Sequence, residues 1–131
     1  MTAIEQLEAA VPVLTATLRQ HWSTGQGKRV RDIVWSLYGG SHLVDLGWAI
    51  SGLDDALARA VGAAIQARIV VGATIEPLLQ TVLEESGELA RYEEAAGKIP
   101  DHLPVPYPPP VSSAGELREL ADALDILCPA D

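Results

Sequence analysis

Apolar residues recur along this chain at intervals of three and four, the spacing of one helix face, rather than at the interval of two that a half-buried strand needs. Ile4, Leu7, Val11, Leu14 and Leu18 share such a face behind a capping box at Thr2-Ala3-Ile4-Glu5, so a first helix should run to about Gln20. Pro12 falls inside it. A proline ring removes a donor and crowds the preceding turn at a cost of ~3 kcal/mol, which predicts a kink or a fresh helix start there. Ser23-Thr24-Gly25-Gln26-Gly27 reads as a turn, followed by the clearest helix of the chain, with Val30, Ile33, Val34, Leu37 and Tyr38 inward until Gly39-Gly40 ends it.

Between Ser41 and Ser51, the positions of Leu43, Val44, Leu46, Trp48 and Ile50 fit a short helix or an irregular buried segment equally well. Leu53, Leu57, Val61, Ile65 and Ile69 mark a further helix that stops at Gly72. The next begins near Thr74, with Pro77 in its first turn and Leu78, Leu79, Val82 and Leu83 inward. Ser86-Gly87 bends or breaks it, and Leu89, Tyr92 and Ala95 carry the pattern on to Gly97. From Ile99 to Pro110 the chain holds six of its nine prolines, which predicts an extended polyproline II connector over 99–112. A second capping box at Ser113-Ala114-Gly115-Glu116 opens a last helix with Leu117, Leu120, Ala121, Leu124 and Leu127 inward. The expected fold is all-α: one domain over 1–131, a compact bundle of about five to seven short helices with a proline-rich extended strap before the last. Trp22, Trp35 and Trp48 are spaced by thirteen residues, yet the residues between them do not repeat.

Composition sharpens this picture. With 48% hydrophobic and 21% charged residues the chain has the make-up of a packed globule, and without phenylalanine its core must be aliphatic. Cys128 is the lone cysteine, so no intrachain disulfide or cysteine cage for zinc can form, and a reducing, cytoplasmic setting is expected. Glu5 and Glu8 precede the first basic residue, Arg19, the reverse of a presequence. The longest apolar stretch, Ala60 to Ile75, contains Gln66 and Arg68 and falls short of the ~20 residues a spanning helix needs, so no membrane role is expected.

The net charge of -9 is unevenly placed: residues 1–75 hold six basic and six acidic side chains, residues 76–131 three basic and twelve acidic. Inside the neutral half, Arg19, Lys28, Arg29 and Arg31 form a basic island. Gly25-Gln26-Gly27-Lys28 lacks the leading glycine, the trailing Ser or Thr and the preceding strand of a phosphate-binding loop. Lys28 and Arg29 nevertheless sit in a first helical turn, where cations oppose the helix dipole and an anion would relieve them. If Val30, Ile33, Val34 and Leu37 face the core, Trp35 lies on the far side beside Lys28 and Arg31, partly exposed and able to stack on Arg31. Ser23, Thr24, Gly25, Gly27, Lys28, Arg29, Arg31 and Trp35 are therefore the expected interaction or anion-binding surface. The bland alternative is that another helix or the proline strap covers Trp35.

Glu84, Glu85, Glu88, Glu93 and Glu94 form an acidic stretch, either a solvated helix face or an imitation of nucleic-acid phosphates. His21, His42 and His102 lie in separate segments. In sequence, only His42 with Asp45 and His102 with Asp101 have a carboxylate nearby, and neither spacing specifies a metal. Leu103 to Pro110 resembles a ligand of proline-reading modules, but its position between helices favours a packed connector. No catalytic motif, metal site or cofactor is indicated. The sequence thus points to a non-enzymatic helical adaptor or regulatory protein that binds another protein, with self-association of the basic turn and acidic half as one form of it. The alternative is a small acidic inhibitor of a nucleic-acid-binding machine, of the anti-CRISPR or anti-restriction type. Single-stranded nucleic acid at residues 23–35 is a third reading, disfavoured by the net charge.

Overall fold

The computed structural model describes residues 1–39 and 42–97, and no strand occurs among them. Their elements are α1 (Ala3–Gln20), α2 (Gly25–Gly39), α3 (Leu46–Ser51), α4 (Asp55–Val71), a 3-10 turn (Gly72–Ile75), α5 (Glu76–Glu85) and α6 (Glu88–Gly97). The proline connector, the last capping box with its helix, His102 and Cys128 lie outside the described residues.

Helix starts follow local chemistry. Thr2 Oγ1 accepts the Glu5 amide at 3.1 Å and donates to the Glu5 carboxylate at 3.0 Å, tying off the first turn of α1. Asp45 and Asp54 carboxylates do the same for α3 and α4, accepting the amides of Trp48 and Leu57. The segment 41–51 therefore resolves, from Leu46 onward, into a short capped helix. The Thr24 hydroxyl accepts the Gly27 amide, so α2 begins at Gly25, inside the stretch that its glycines marked as a turn.

Helix α1 continues through Pro12 as one element, so of the kink or fresh start expected there the fresh start does not occur. Pro12 is exposed, on the side away from buried Leu7, Ala10, Leu14 and Leu18, where water can take up the carbonyl its missing N–H leaves unpaired. The buried side of α1 packs along α4 and against α5 and α2. Ala10, Ala60, Ala64 and Ala67 are buried at or near this seam, and small side chains there let backbones approach closely. Around it Leu7, Leu14, Leu18, Val61, Ile75, Leu79, Val82 and Leu83 complete an aliphatic core, each fully buried leucine contributing about 2 kcal/mol of transfer free energy.

From Asp55 to Glu85 the backbone is helical for 31 residues, with a mean hydropathy of 1.4 over its most apolar 18-residue window, long and apolar enough to cross a membrane by length and composition alone. This corrects the expectation from the apolar stretch Ala60 to Ile75 that no helix here is long enough. The run is not one straight rod, because Gly72 at φ +61° ends α4 in a conformation that side chains resist. The α5 helix then starts afresh with Pro77 in its first turn.

Helix α2 packs against α1, α3, α4 and α5. Every residue from Val30 to Trp35 is buried, the charged Arg31 and Asp32 included. Of the two readings of Trp35 the covered one holds, at 8% exposed, and Arg31, grouped with it in the expected interaction surface, is 3% exposed. Both belong to the interior because the side of α2 opposite the aliphatic core is covered as well, by a layer that carries its own charges.

Candidate functional site

That second layer is centred on Glu88, at the first turn of α6 and 1% exposed. Gly87, at φ +84°, lets the chain turn sharply between α5 and α6, and the buried Ser86 hydroxyl accepts the Glu88 amide at 3.3 Å. The turn drives the Glu88 carboxylate inward. Its Oε1 accepts the Trp35 indole N–H at 3.3 Å and lies 3.8 Å from Arg31 Nε, while Oε2 accepts Arg91 Nη2 at 2.7 Å. Asp32 Oδ1 stands 3.8 Å from Arg31 Nε and equally far from His42 Nε2. Arg31 and Arg91 therefore balance Asp32 and Glu88, the pairing that a buried charge requires. The separation between Asp32 and His42 is an ion-pair distance and too long for a hydrogen bond.

Glu88 does not belong to the acidic surface where the sequence put it. Glu84, Glu85, Glu93 and Glu94 are exposed as expected. Likewise, the carboxylate beside His42 is Asp32, from the preceding helix, whereas Asp45 is committed to capping α3.

The basic island is also taken apart. Arg19 donates from Nε and Nη2 to the Glu85 carbonyl at the end of α5, at 3.2 and 2.6 Å. Arg29 donates to the Trp48 carbonyl in the last turn of α3, and its guanidinium lies 4.4 Å from the centroid of the Trp48 ring. Gly52 makes room for it, since a Cβ there would come within 2.7 Å of the guanidinium carbon. Arg91 donates to the Leu18 carbonyl in the last turn of α1 at 3.1 Å and stacks over Trp22 at 4.8 Å. Three guanidiniums thus complement three helix C-termini, where unpaired carbonyls concentrate negative charge. Of the expected surface, Ser23, Thr24 and Gly25 are exposed and Lys28 is half-buried. Gly27 is buried so closely against His21 and Trp22 that a Cβ would overlap the His21 carbonyl.

Against this charged layer lies a half-enclosed cleft of about 320 Å³ between α2 and α6, lined by Trp35, Tyr38, Gly39, His42, Leu89, Tyr92 and Glu93. Its size falls at the lower end of small-ligand sites. Trp35 and Tyr92 are stacked at 4.7 Å, Tyr38 meets Trp35 edge-on at 6.1 Å, and the His42 ring is 6.4 Å from Trp35. Leu43 follows His42 directly and is 85% exposed, and Leu46 and Ile50, one turn apart on α3, are about half exposed. A depression of similar size between α1 and α4 is shallow and lined mainly by Met1, Ala9, Val13, Arg59 and Ala63, with little convergent polar chemistry.

Sequence reasoning missed the cleft because its walls come from residues 35–42 and 89–93, which are far apart in sequence; the available signal was a pair of tyrosines, Tyr38 near the end of α2 and Tyr92 within α6. No group of three or more potential metal ligands is gathered among the described residues. Comparison of the chain with protein-family models, with curated proteins and with solved structures finds no match.

Proposed function

We propose that this chain is a non-enzymatic helical interaction module of the cytoplasm. Its partner is a basic protein that covers Leu43, Leu46 and Ile50 and reaches into the aromatic cleft. The observation that carries this reading is a half-enclosed, ring-lined cleft on a molecule that also leaves Leu43, directly after the cleft residue His42, and Leu46 and Ile50 of α3 exposed, features of an interface hot spot. Two further features support it. Arg29 holds α3 at its C-terminal carbonyls and on the Trp48 face, so Leu46 and Ile50 sit on a clamped element. Arg19, Arg29, Arg31 and Arg91 are turned to internal carbonyls and carboxylates while Glu84, Glu85, Glu93 and Glu94 stay exposed, giving a surface that steers basic partners.

The exposed carboxylates also favour a narrower form of the same reading, in which the partner's basic groove is one that otherwise holds nucleic acid. Single-stranded nucleic acid at the basic turn loses support, because Trp35 offers no exposed face for a base and Arg29 and Arg31 are engaged.

The test is capture from lysate with the tagged wild type and with a Leu46→Asp, Ile50→Asp double variant, both treated with nuclease. A basic protein retained by the wild type and lost by the variant at an unchanged melting temperature supports the proposal. Equal recovery with both baits refutes it. Sedimentation velocity at rising concentration separates a second copy of this chain from a different partner. Competition by an oligonucleotide for the captured protein identifies the inhibitor form.

A further inference from the structure

We infer that the cleft between α2 and α6 receives an arginine side chain of the partner, an inference that rests on the interaction reading above. The lining supplies both halves of guanidinium recognition. Half-buried Tyr38 and Tyr92, backed by the buried Trp35, offer aromatic surface, and the exposed Glu93 of the same lining offers a carboxylate. A planar cation gains from both, through the ring quadrupole and through a two-point hydrogen bond to the carboxylate. Among the described residues, no basic side chain lines the cleft except the imidazole of His42. The guanidinium of Arg91 behind it is bonded to Glu88, and Arg31 stands between Glu88 and Asp32, so these two cations and two carboxylates balance one another.

The fold already uses the same chemistry twice. Arg29 lies over Trp48 and Arg91 over Trp22, each guanidinium also donating to a carbonyl or carboxylate. In the cleft, Tyr92 and Glu93 repeat that combination of aromatic face and anionic acceptor without an internal arginine among the lining residues. A volume of about 320 Å³ admits a guanidinium with its three-carbon stem. An unbranched aliphatic ligand would leave Glu93 unanswered, and an anion would meet that carboxylate directly.

The experiment is a titration of the full, isotopically labelled chain followed by NMR, using N-acetyl-arginine amide as the cation and N-acetyl-citrulline amide as its neutral isostere. The arginine probe should shift the Trp35 indole and the Tyr92 and Glu93 amides saturably, in the millimolar range expected for a single side chain. The citrulline probe should bind at least about five-fold more weakly, and Glu93→Gln should weaken the arginine probe by a similar factor. Glu93 is exposed, so this variant should keep the fold, and Glu94→Gln, one position along and outside the cleft, should leave binding unchanged. Equal binding of both probes, no response to Glu93→Gln, or no saturable shift by about 50 mM would overturn the inference. A captured partner sensitive to the α3 double variant but indifferent to Glu93→Gln would leave the interaction reading standing and remove the arginine from it. Arginine binding in the cleft, with no partner sensitive to that double variant, would do the reverse.

Discussion

The Trp35 indole N–H reaches the Glu88 carboxylate at 3.3 Å across fifty-three positions of sequence, linking the middle of α2 to the start of α6. An exposed tryptophan beside a solvated glutamate would have been a binding surface. Buried together, the two instead form the centre of a charged layer behind the aromatic cleft, and the stability of that layer is open to direct measurement.

Removing the Glu88 carboxylate leaves the buried Arg31 and the partly buried Arg91 without their shared anion. Glu88→Ala should therefore cost ~3–5 kcal/mol in urea unfolding, with Glu88→Gln milder because the amide oxygen still accepts one donor. A loss below about 1 kcal/mol for the alanine variant would mean that the layer is hydrated.

Trp35→Ala should destabilise by ~3–5 kcal/mol, the cost of deleting a large buried ring. Trp22 is 38% exposed, and Trp22→Ala should cost clearly less even though it removes the stack with Arg91. Equal effects in thermal melts would place Trp35 at the surface.

Two glycines inside helices should respond in opposite directions. Gly27→Ala forces a methyl group into the His21 carbonyl and should lower stability, whereas the exposed Gly62 of α4 has nothing within 4 Å of its Cβ position. Gly62→Ala should add up to ~1 kcal/mol through helix propensity alone. Melting temperatures of the two variants check both signs.

Arg29→Ala should release α3 more than it unfolds the protein. Its guanidinium holds Trp48 by carbonyl and ring, while the core seam of α1 with α4 lies elsewhere. Hydrogen exchange is expected to accelerate over Leu46–Ser51 with little change in α4, and uniform acceleration across both would contradict the clamp.

Asp54→Ala removes the acceptor of the Leu57 amide at the start of α4, held at 2.9 Å. The expected loss is ~1 kcal/mol, recovered largely by Asp54→Ser. Chemical denaturation of the pair tests whether this cap acts through its hydrogen bond.

The sequence by itself determined most of the helices within the described residues, α3 being left open, because caps and breaks are local chemistry. Thr2, Asp54, Pro77 and Gly72 each act on neighbours within four positions, and the three-and-four spacing of Leu7, Leu14, Leu18 and their counterparts marks the face that must be buried. Which charges are solvated was decided only by the tertiary structure. Arg31 and Glu88 look like surface residues in a one-helix projection, and nothing local announces that α6 will cover the second side of α2. Their burial depends on opposite charges brought together from fifty-seven positions apart, while Arg19 and Arg91 are engaged by carbonyls at helix ends that have no signature in side-chain sequence. Hydrophobic periodicity reports how one helix meets water, but a cleft and a charge network belong to pairs of helices and exist only once those helices are packed.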